Sequence, residues 1–451
     1  METPNPEYRI PMAATRPSLR VAFVAYHFPP LGGGLSHRSL KYVKYLPQHG
    51  VEVEVLSGKF GPDAPWFDDQ LLGEISPQVP IHRVSDYYSS PVARLLRGRL
   101  VERLLRLSVR AVSHPDLFAG WARRVFRRLR RRHAEAPFDA VFTTSFPWSA
   151  HRVGLKARAA LGLPWVSDFR DPWTLNYEQR FAHPWLRTIH RRMEKRVYDQ
   201  SDHVVLNTPG NLKDVLGAFD VDPDKLSVIP NGFDPDDLRL TAPSSPADDG
   251  RFHLLYLGGL RGDWFEAPFY RSLRALREID PWAYRKLAVD FVGADRPQGG
   301  LCRQLRLGDV CRFHGFHRLG ELAGWLQGCD ACALLLPART DGDLGWVPQK
   351  TYTYLASGKP ILFWGPRGSA RDILRETKAG VHVEPKAVYH AAAVLAGWVR
   401  DHAAGRPPRG ASQDAVAAYD KRRLTGELAE IFRRVCGEEH AAPVEPLRKA
   451  A

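Results

Sequence analysis

The chain has 451 residues, 44% of them hydrophobic, with a formal net charge of +14 and five cysteines. That length suits two or three domains with large cores, and so few cysteines form no disulfide framework. The basic excess points to an acidic partner: phosphate groups, an anionic membrane surface or nucleic acid.

No apolar run approaches the ~18 residues of a membrane span, and "METPNPEYRIPMAATRPSLR" lacks the apolar stretch of a secretory signal. A cytoplasmic protein with reduced thiols is expected. After this tail, "RVAFVAY" reads as a buried strand and runs into "HFPPLGGGLSHR", residues 27 to 38. Gly32, Gly33 and Gly34 can take positive φ and let a ligand touch the backbone. Leu40, Val43 and Leu46 then fall on one helical face. Strand, glycine loop and helix form a layout that holds an anion at a helix N-terminus. Neither a dinucleotide fingerprint nor a P-loop is matched, so a plain tight turn is the alternative. His27 and Arg38 at the two ends of the stretch are acceptor-side candidates.

Between Arg94 and Arg132 lie thirteen arginines, set against Glu102 and Asp116. Leu and Val alternate with Arg at helical spacing, the pattern of a membrane-surface helix; a helix that covers a sheet and solvates its arginines is the alternative. Zinc-finger spacing, an RNA-recognition signature and aromatic-basic interleaving are all missing, so no nucleic-acid partner is expected. "AVFTTS" and "PWVSDF" read as further strands. Ligands of open α/β sheets bind beyond strand ends, which singles out Ser145 and His151 after the first, and Asp168 and Arg170 after the second. Asp171 before Pro172 reads as a helix N-cap and N1 pair.

With "EVEVLSG" earlier in the chain, "HVVLNT" and "LSVIPNG" complete the strands of the first half, and "LTAPSSPADDGR" (residues 240 to 251) reads as a linker. "HLLYLGG", "AVDFVG", "RFHGF", "ACALLLP", "PILFWG" and "GVHVEP" are the strands of the second half. Strands alternating with helices give an α/β class with parallel sheets. In "GWVPQKTYTYLASGKPIL", Pro348 suits N1 of a helix and Gly358 its C′ position. Lys350 falls in the first turn, where a cation opposes the macrodipole unless an anion sits there; Arg261 is a second candidate cation for the same phosphates. Cys329 and Cys332 form C-x-x-C, but their context is a helix end entering a buried strand, so no metal site is expected. A final helix is expected over residues 411 to 436.

These motifs carry a resemblance. "HFPPLGGGLSHR", "PDLFAGW", "SDFRDPW", "VIPNGFD" and "VPQKTYTYLASGKPIL", in this order over residues 20 to 435, resemble family 4 glycosyltransferases of the GT-B fold, in the bacterial branch that acts in cell-surface and exopolysaccharide assembly. The resemblance implies two Rossmann-like, doubly wound domains facing a cleft. An N-terminal tail (1–19) would precede the acceptor-side domain (20–240), a linker (241–251) and the nucleotide-sugar-binding domain (252–410). A helix at 411–436 would cross back to the first domain, and a tail (437–451) would follow.

It further implies transfer of a sugar from a nucleotide diphosphate-sugar to a lipid-linked or polysaccharide acceptor, with retention, without metal or other cofactor, in the cytoplasm or on the inner face of the plasma membrane. Gly32 to Gly34, Arg261, Lys350 and Thr353 would hold the donor, and Asp168 and Arg170 would position the acceptor or the sugar. The family's two glutamates around the signature helix are replaced here by Gly345 and Thr353; Asp341 and Asp343 of the preceding loop are candidate substitutes. A transferase acting on a small natural product and a non-catalytic sugar-binding homologue are the alternative readings.

Overall fold

The computed structural model describes residues 18–64, 66–86, 115–176, 179, 181–238, 246, 249–260, 263–294, 300–337 and 344–438. Its first half is built on β1 (Leu19–Ala25), β2 (Val51–Gly58), β3 (Ile81–Val84), β4 (Ala140–Ser145), β5 (Trp165–Phe169), β6 (His203–Leu206) and β7 (Leu226–Val228). They form one parallel sheet in the order β3-β2-β1-β4-β5-β6-β7. The second half carries β8 (Phe252–Leu257), β9 (Leu287–Val292), β10 (Cys311–Phe313), β11 (Ala331–Leu335), β12 (Ile361–Trp364) and β13 (Gly380–Val383). These too are parallel, in the order β10-β9-β8-β11-β12-β13. The central strands are near-continuous apolar runs because helices cover both faces; β1, β4, β8 and β11 are almost wholly buried. Strand order reverses beside β1 in one sheet and beside β8 in the other, and each reversal opens a crevice at the C-terminal strand ends. This is the doubly wound α/β architecture expected, twice over.

The longer helices are α1 (Gly34–Tyr45), α2 (Ala119–Glu135), α3 (His151–Leu161), α4 (Pro184–Gln200), α5 (Pro209–Ala218), α6 (Asp263–Ile279), α7 (Gln349–Ser357), α8 (Ser369–Thr377), α9 (Val388–Ala403) and α10 (Lys421–Val435). Leu40, Val43 and Leu46 sit in the core under α1, as their spacing predicts. The expected final helix is broken: a short turn of helix over Gln413–Val416 and a 3-10 turn precede α10, whose N-cap is Asp420. Leu424, Leu428, Ala429 and Phe432 of α10 enter the core of the first sheet, beside Leu40 and Val43. The chain after the second sheet therefore returns to the first, where α10 completes its core. The two passages are also stitched by Phe233 and Lys421, whose backbone N–H groups donate to the carbonyls of Tyr419 and Phe233 at 2.9 and 2.8 Å.

Two local expectations change. Asp171 and Pro172 start no helix; the chain turns through Trp173 and Thr174, whose backbone N–H groups donate to the buried Glu194 carboxylate of α4 at 3.2 and 2.9 Å. The next described helix begins at Pro184. Pro348 is the extended N-cap of α7 rather than its first helical residue, and Gly358 closes the helix at φ 68°. The four clustered cysteines pack in the second half as core side chains. Most of the expected linker, the arginines from 94 to 110, Arg261, Asp341 and Asp343 lie outside the described residues.

Candidate active site

The wall contributed by the first half is built from charges that neutralise one another. Asp168, at the end of β5, is fully buried and accepts from Arg38 Nη2 at 2.7 Å and from Thr144 Oγ1 at 2.6 Å. Arg38 is buried as well and donates its other arm to the Pro230 carbonyl at 2.9 Å. The pair fixes α1 to the end of β5 and to the loop after β7. Arg170 is half-buried and donates to the carbonyls of Gly34, at 2.5 Å, and Leu35, which ties the same loop to the start of α1. Ser145 is buried against the Asp168 carbonyl. His151 is wholly buried, stacked on Phe169 and hydrogen-bonded to Thr143; burial pulls its pKa down to about 3, so it is a neutral core residue. Of the residues expected at the site, Arg38, Ser145, His151 and Asp168 are thus all buried and hydrogen-bonded within the fold.

The glycine loop divides. The N–H of Gly32 donates to the Trp66 carbonyl at 2.8 Å, and a Cβ on Gly32 would lie 2.8 Å from that same oxygen. Gly32 is glycine because a backbone packs on it, not because a ligand does. Gly33, at φ 75°, and Gly34 are exposed at the start of α1, which has neither a side-chain cap nor an acidic residue in its first turn. Beside them the His27 ring lies between Phe60 and Phe146, and its Nδ1 is 3.0 Å from the Phe146 carbonyl. That oxygen only accepts, so Nδ1 carries the proton and Nε2 the lone pair. Burial lowers the His27 pKa to about 4, leaving a neutral ring at pH 7.

Glu74, Asp234 and Asp237 bring three carboxylates within reach of one ion. The occupant is internal: the ammonium of buried Lys41 sits 2.5, 2.9 and 2.5 Å from them. This latch joins α1 to the "NGFDPDDL" segment.

The facing wall is made differently. Gly258 (φ 107°) and Gly293 (φ 94°) end β8 and β9, and a Cβ on Gly293 would come within 3.1 Å of the Gly258 Cα. Strand ends bare of side chains leave room above them. Lys350 fills part of it, its Nζ 3.9 Å from the Tyr256 ring centroid and 3.3 Å from where a Gly258 Cβ would stand. Lys350 is in the first turn of α7, whose N-cap Pro348 makes no side-chain cap and whose first turn holds no acid. An uncapped helix N-terminus with a lysine beside it is an arrangement that attracts anions in proteins generally. Thr353 lies on the next turn, half-buried. Gly345 has a different reason to be glycine: its carbonyl accepts from Thr208 at 2.6 Å, and a Cβ there would lie 2.5 Å from Asn211 Oδ1. A glutamate at 345 would collide with the start of α5 in the other half.

Residues 33–232 match the glycosyl transferase 4-like domain family. The first half therefore resembles a glycosyl transferase 4-like domain, and the relatives support a glycosyltransferase. Over 344 residues the chain is 25% identical to a D-inositol 3-phosphate glycosyltransferase of Actinosynnema mirum, covering 70% of this chain and 75% of the relative. In fold it is similar to a sucrose-phosphate synthase of Thermosynechococcus elongatus, with a TM-score of 0.64, 16% identity, and 93% and 100% of the two chains covered. It is also similar to Anabaena HepE in complex with UDP-glucose, with a TM-score of 0.53, 14% identity, and 93% and 98% covered. The two facing α/β units are those of the GT-B fold.

Sequence reasoning missed Tyr256, Gly258 and Gly293, although "LYLGG" and "DFVG" both end a strand on glycine. It missed the Lys41 latch, whose signal was an acidic run after "VIPNG". It also missed the Phe146, Trp148 and Trp173 cluster, announced only by aromatics beside prolines.

Proposed function

We propose that this glycosyltransferase moves a sugar from a nucleotide diphosphate-sugar to a hydroxyl of a lipid-linked or polysaccharide acceptor, with retention and without a metal ion. The observation that carries this reading is Lys350 at the uncapped start of α7, beside the bare ends of β8 and β9. There the ammonium and the first N–H groups of the helix would meet a diphosphate and stabilise the charge that grows on it as the glycosidic bond breaks. The acceptor oxygen would bond to the anomeric carbon on the face the diphosphate leaves, and its proton would pass to a departing phosphate oxygen. No carboxylate base is needed, in keeping with Asp168 being committed to Arg38. Gly33 and Gly34 at the open start of α1 would approach the same phosphates from the other side. With Lys41 satisfying Glu74, Asp234 and Asp237, that acidic trio has no need of a metal.

Two features bear on the acceptor. On α2, Arg123, Arg127, Arg130 and Arg131 are exposed while Trp121, Val125 and Leu129 pack inward; that basic face supports contact with an anionic membrane. No described helix is long and apolar enough to cross a membrane. The inositol phosphate named for the Actinosynnema relative favours a second reading, a small soluble acceptor. The test is transfer from UDP-glucose and GDP-mannose in the presence of EDTA, with vesicle-borne and soluble glycan acceptors. Expected is metal-independent transfer to a glycan with the donor's anomeric configuration kept. Activity that appears only with added metal, or an inverted product, would overturn the reading.

A further inference from the structure

The helices α2, α3 and α4 cover one face of the first sheet. Val125, Val153 and Val197, one from each, share a core, and α3 packs against both of its neighbours. Their outer sides therefore form one broad surface, and it is basic throughout. To the exposed arginines of α2 it adds Lys156 of α3 and Arg187, Arg192 and Arg196 of α4, all exposed. Glu135 and Asp199 are the exposed acids of the three helices. The Lys156 ammonium lies 5.6 Å from the centroid of the Phe126 ring of α2, so the charge continues from one helix to the next.

At the start of α4 stands Trp185, 58% exposed and stacked on His183 with the planes 8° apart. One exposed tryptophan is ordinary on a protein surface; the place of this one is informative. Trp185, Arg192 and Arg196 recur at helical spacing along one side of α4. That helix ends at Gln200 and β6 begins at His203, so α4 runs back along the sheet. Its Pro184 end therefore stands at the C-terminal strand ends, on the cleft side. The surface has an apolar tip there and cations down its length. A face of this kind lies on a membrane, with the tryptophan at headgroup level and the cations on anionic headgroups. A nucleic-acid duplex is read by an element that enters its groove, whereas helices laid side by side on a sheet offer a flat seat.

We propose that the whole α2–α3–α4 face seats on an anionic bilayer, with Trp185 inserted among the headgroups at the cleft end. Resting on the lipid-linked acceptor of the proposed reaction, this brings the cleft mouth to the lipid surface, where the head of such an acceptor reaches it while its lipid stays in the bilayer.

The experiment is sedimentation of the whole chain, without donor, with vesicles of phosphatidylcholine alone and of equal parts phosphatidylcholine and phosphatidylglycerol. Binding to the mixed vesicles and not to the neutral ones is expected. Trp185→Ala should weaken it on the order of fivefold, and Arg192→Glu with Arg196→Glu by roughly tenfold or more. A second readout is fluorescence in mixed vesicles whose acyl chains carry bromine, a quencher of tryptophan. Quenching in the wild type that is lost in Trp185→Phe, which keeps an apolar ring and still sediments, is the mark of insertion. All four positions are exposed or replaced by a similar ring, so urea midpoints of the variants should match the wild type. Equal binding to neutral vesicles, quenching that survives in Trp185→Phe, or tighter binding to a DNA duplex than to the mixed vesicles overturns the proposal. So does binding that Arg127→Glu with Arg131→Glu weakens and the α4 variants do not, which would confine the contact to α2. Because no donor is present, a failure of sugar transfer would sink the transferase reading without touching this result.

Discussion

The two walls of the cleft use charge in opposite ways. In the first half Arg38, Asp168 and Lys41 are buried and spent on one another or on neighbouring loops. In the second, Lys350 is brought over glycine-bared strand ends at a helix start. The first arrangement fixes the geometry of the loops around α1. The second presents positive potential where a diphosphate would sit. A glycosyltransferase needs both: a rigid seat for a neutral nucleophile and an electrostatic seat for an anionic leaving group.

The sharpest way to break this contrast is to cut a charge from each wall. Asp168→Ala strands Arg38 in the core, and a loss of about 3–5 kcal/mol in urea unfolding is expected. Lys350→Ala removes a half-buried cation and its contact with the Tyr256 ring, so its stability should change by about 1 kcal/mol while donor turnover collapses. Equal stability losses in the two variants would erase the distinction between the walls.

The next effect is acid sensitivity. Burial pulls His151 down to about 3 and His203 down to about 4. Between the ordinary histidine pKa near 6.5 and those values the unfolded chain binds protons the folded chain cannot, so stability falls as pH falls. About 2 kcal/mol per residue should be lost from pH 7 to pH 5. His253 works the other way: though burial opposes it, the carboxylates of Asp290 and Asp249 raise its pKa, so its contribution is present at low pH and lost as pH rises through the folded value. Urea midpoints at the two pH values, for wild type and His151→Phe, read the sign; a wild-type midpoint that rises on acidification would contradict it.

A smaller effect separates the glycines. Gly258→Ala, at positive φ and against the Lys350 ammonium, should cost about 1–2 kcal/mol and raise the donor KM. Gly34→Ala, which meets nothing within 4 Å, should change stability by less than ~1 kcal/mol. The smallest effect on folding is at the surface. Arg127→Glu and Arg131→Glu on α2 should move stability by no more than ~0.5 kcal/mol while weakening sedimentation with anionic vesicles; unchanged vesicle binding would count against the α2 contact.

What was legible in the sequence follows the range of the interactions. Twelve strands were readable because each is a short apolar run bounded by a turn. β3 was not, because "IHRV" is a half-buried edge strand with only two apolar residues. The place of Lys350 in the first turn of α7 was readable because a proline and a glycine bracket that helix locally. Asp168 was placed at the right strand end, but its pairing with Arg38 was not foreseen. Its partner Arg38 lies 130 positions away, and no periodicity reveals that two such residues meet. The same holds for Gly345, whose lost side chain is explained by Asn211 in the opposite half.

The most direct test is calorimetric titration of the metal-free protein with UDP, GDP, ADP and dTDP, for wild type and Lys350→Ala. Selective binding of one nucleotide in EDTA, lost in Lys350→Ala while the variant unfolds at the wild-type urea midpoint, is the expected result. Binding that needs a metal, or that survives the loss of Lys350, would contradict an anion site built from that lysine and the start of α7.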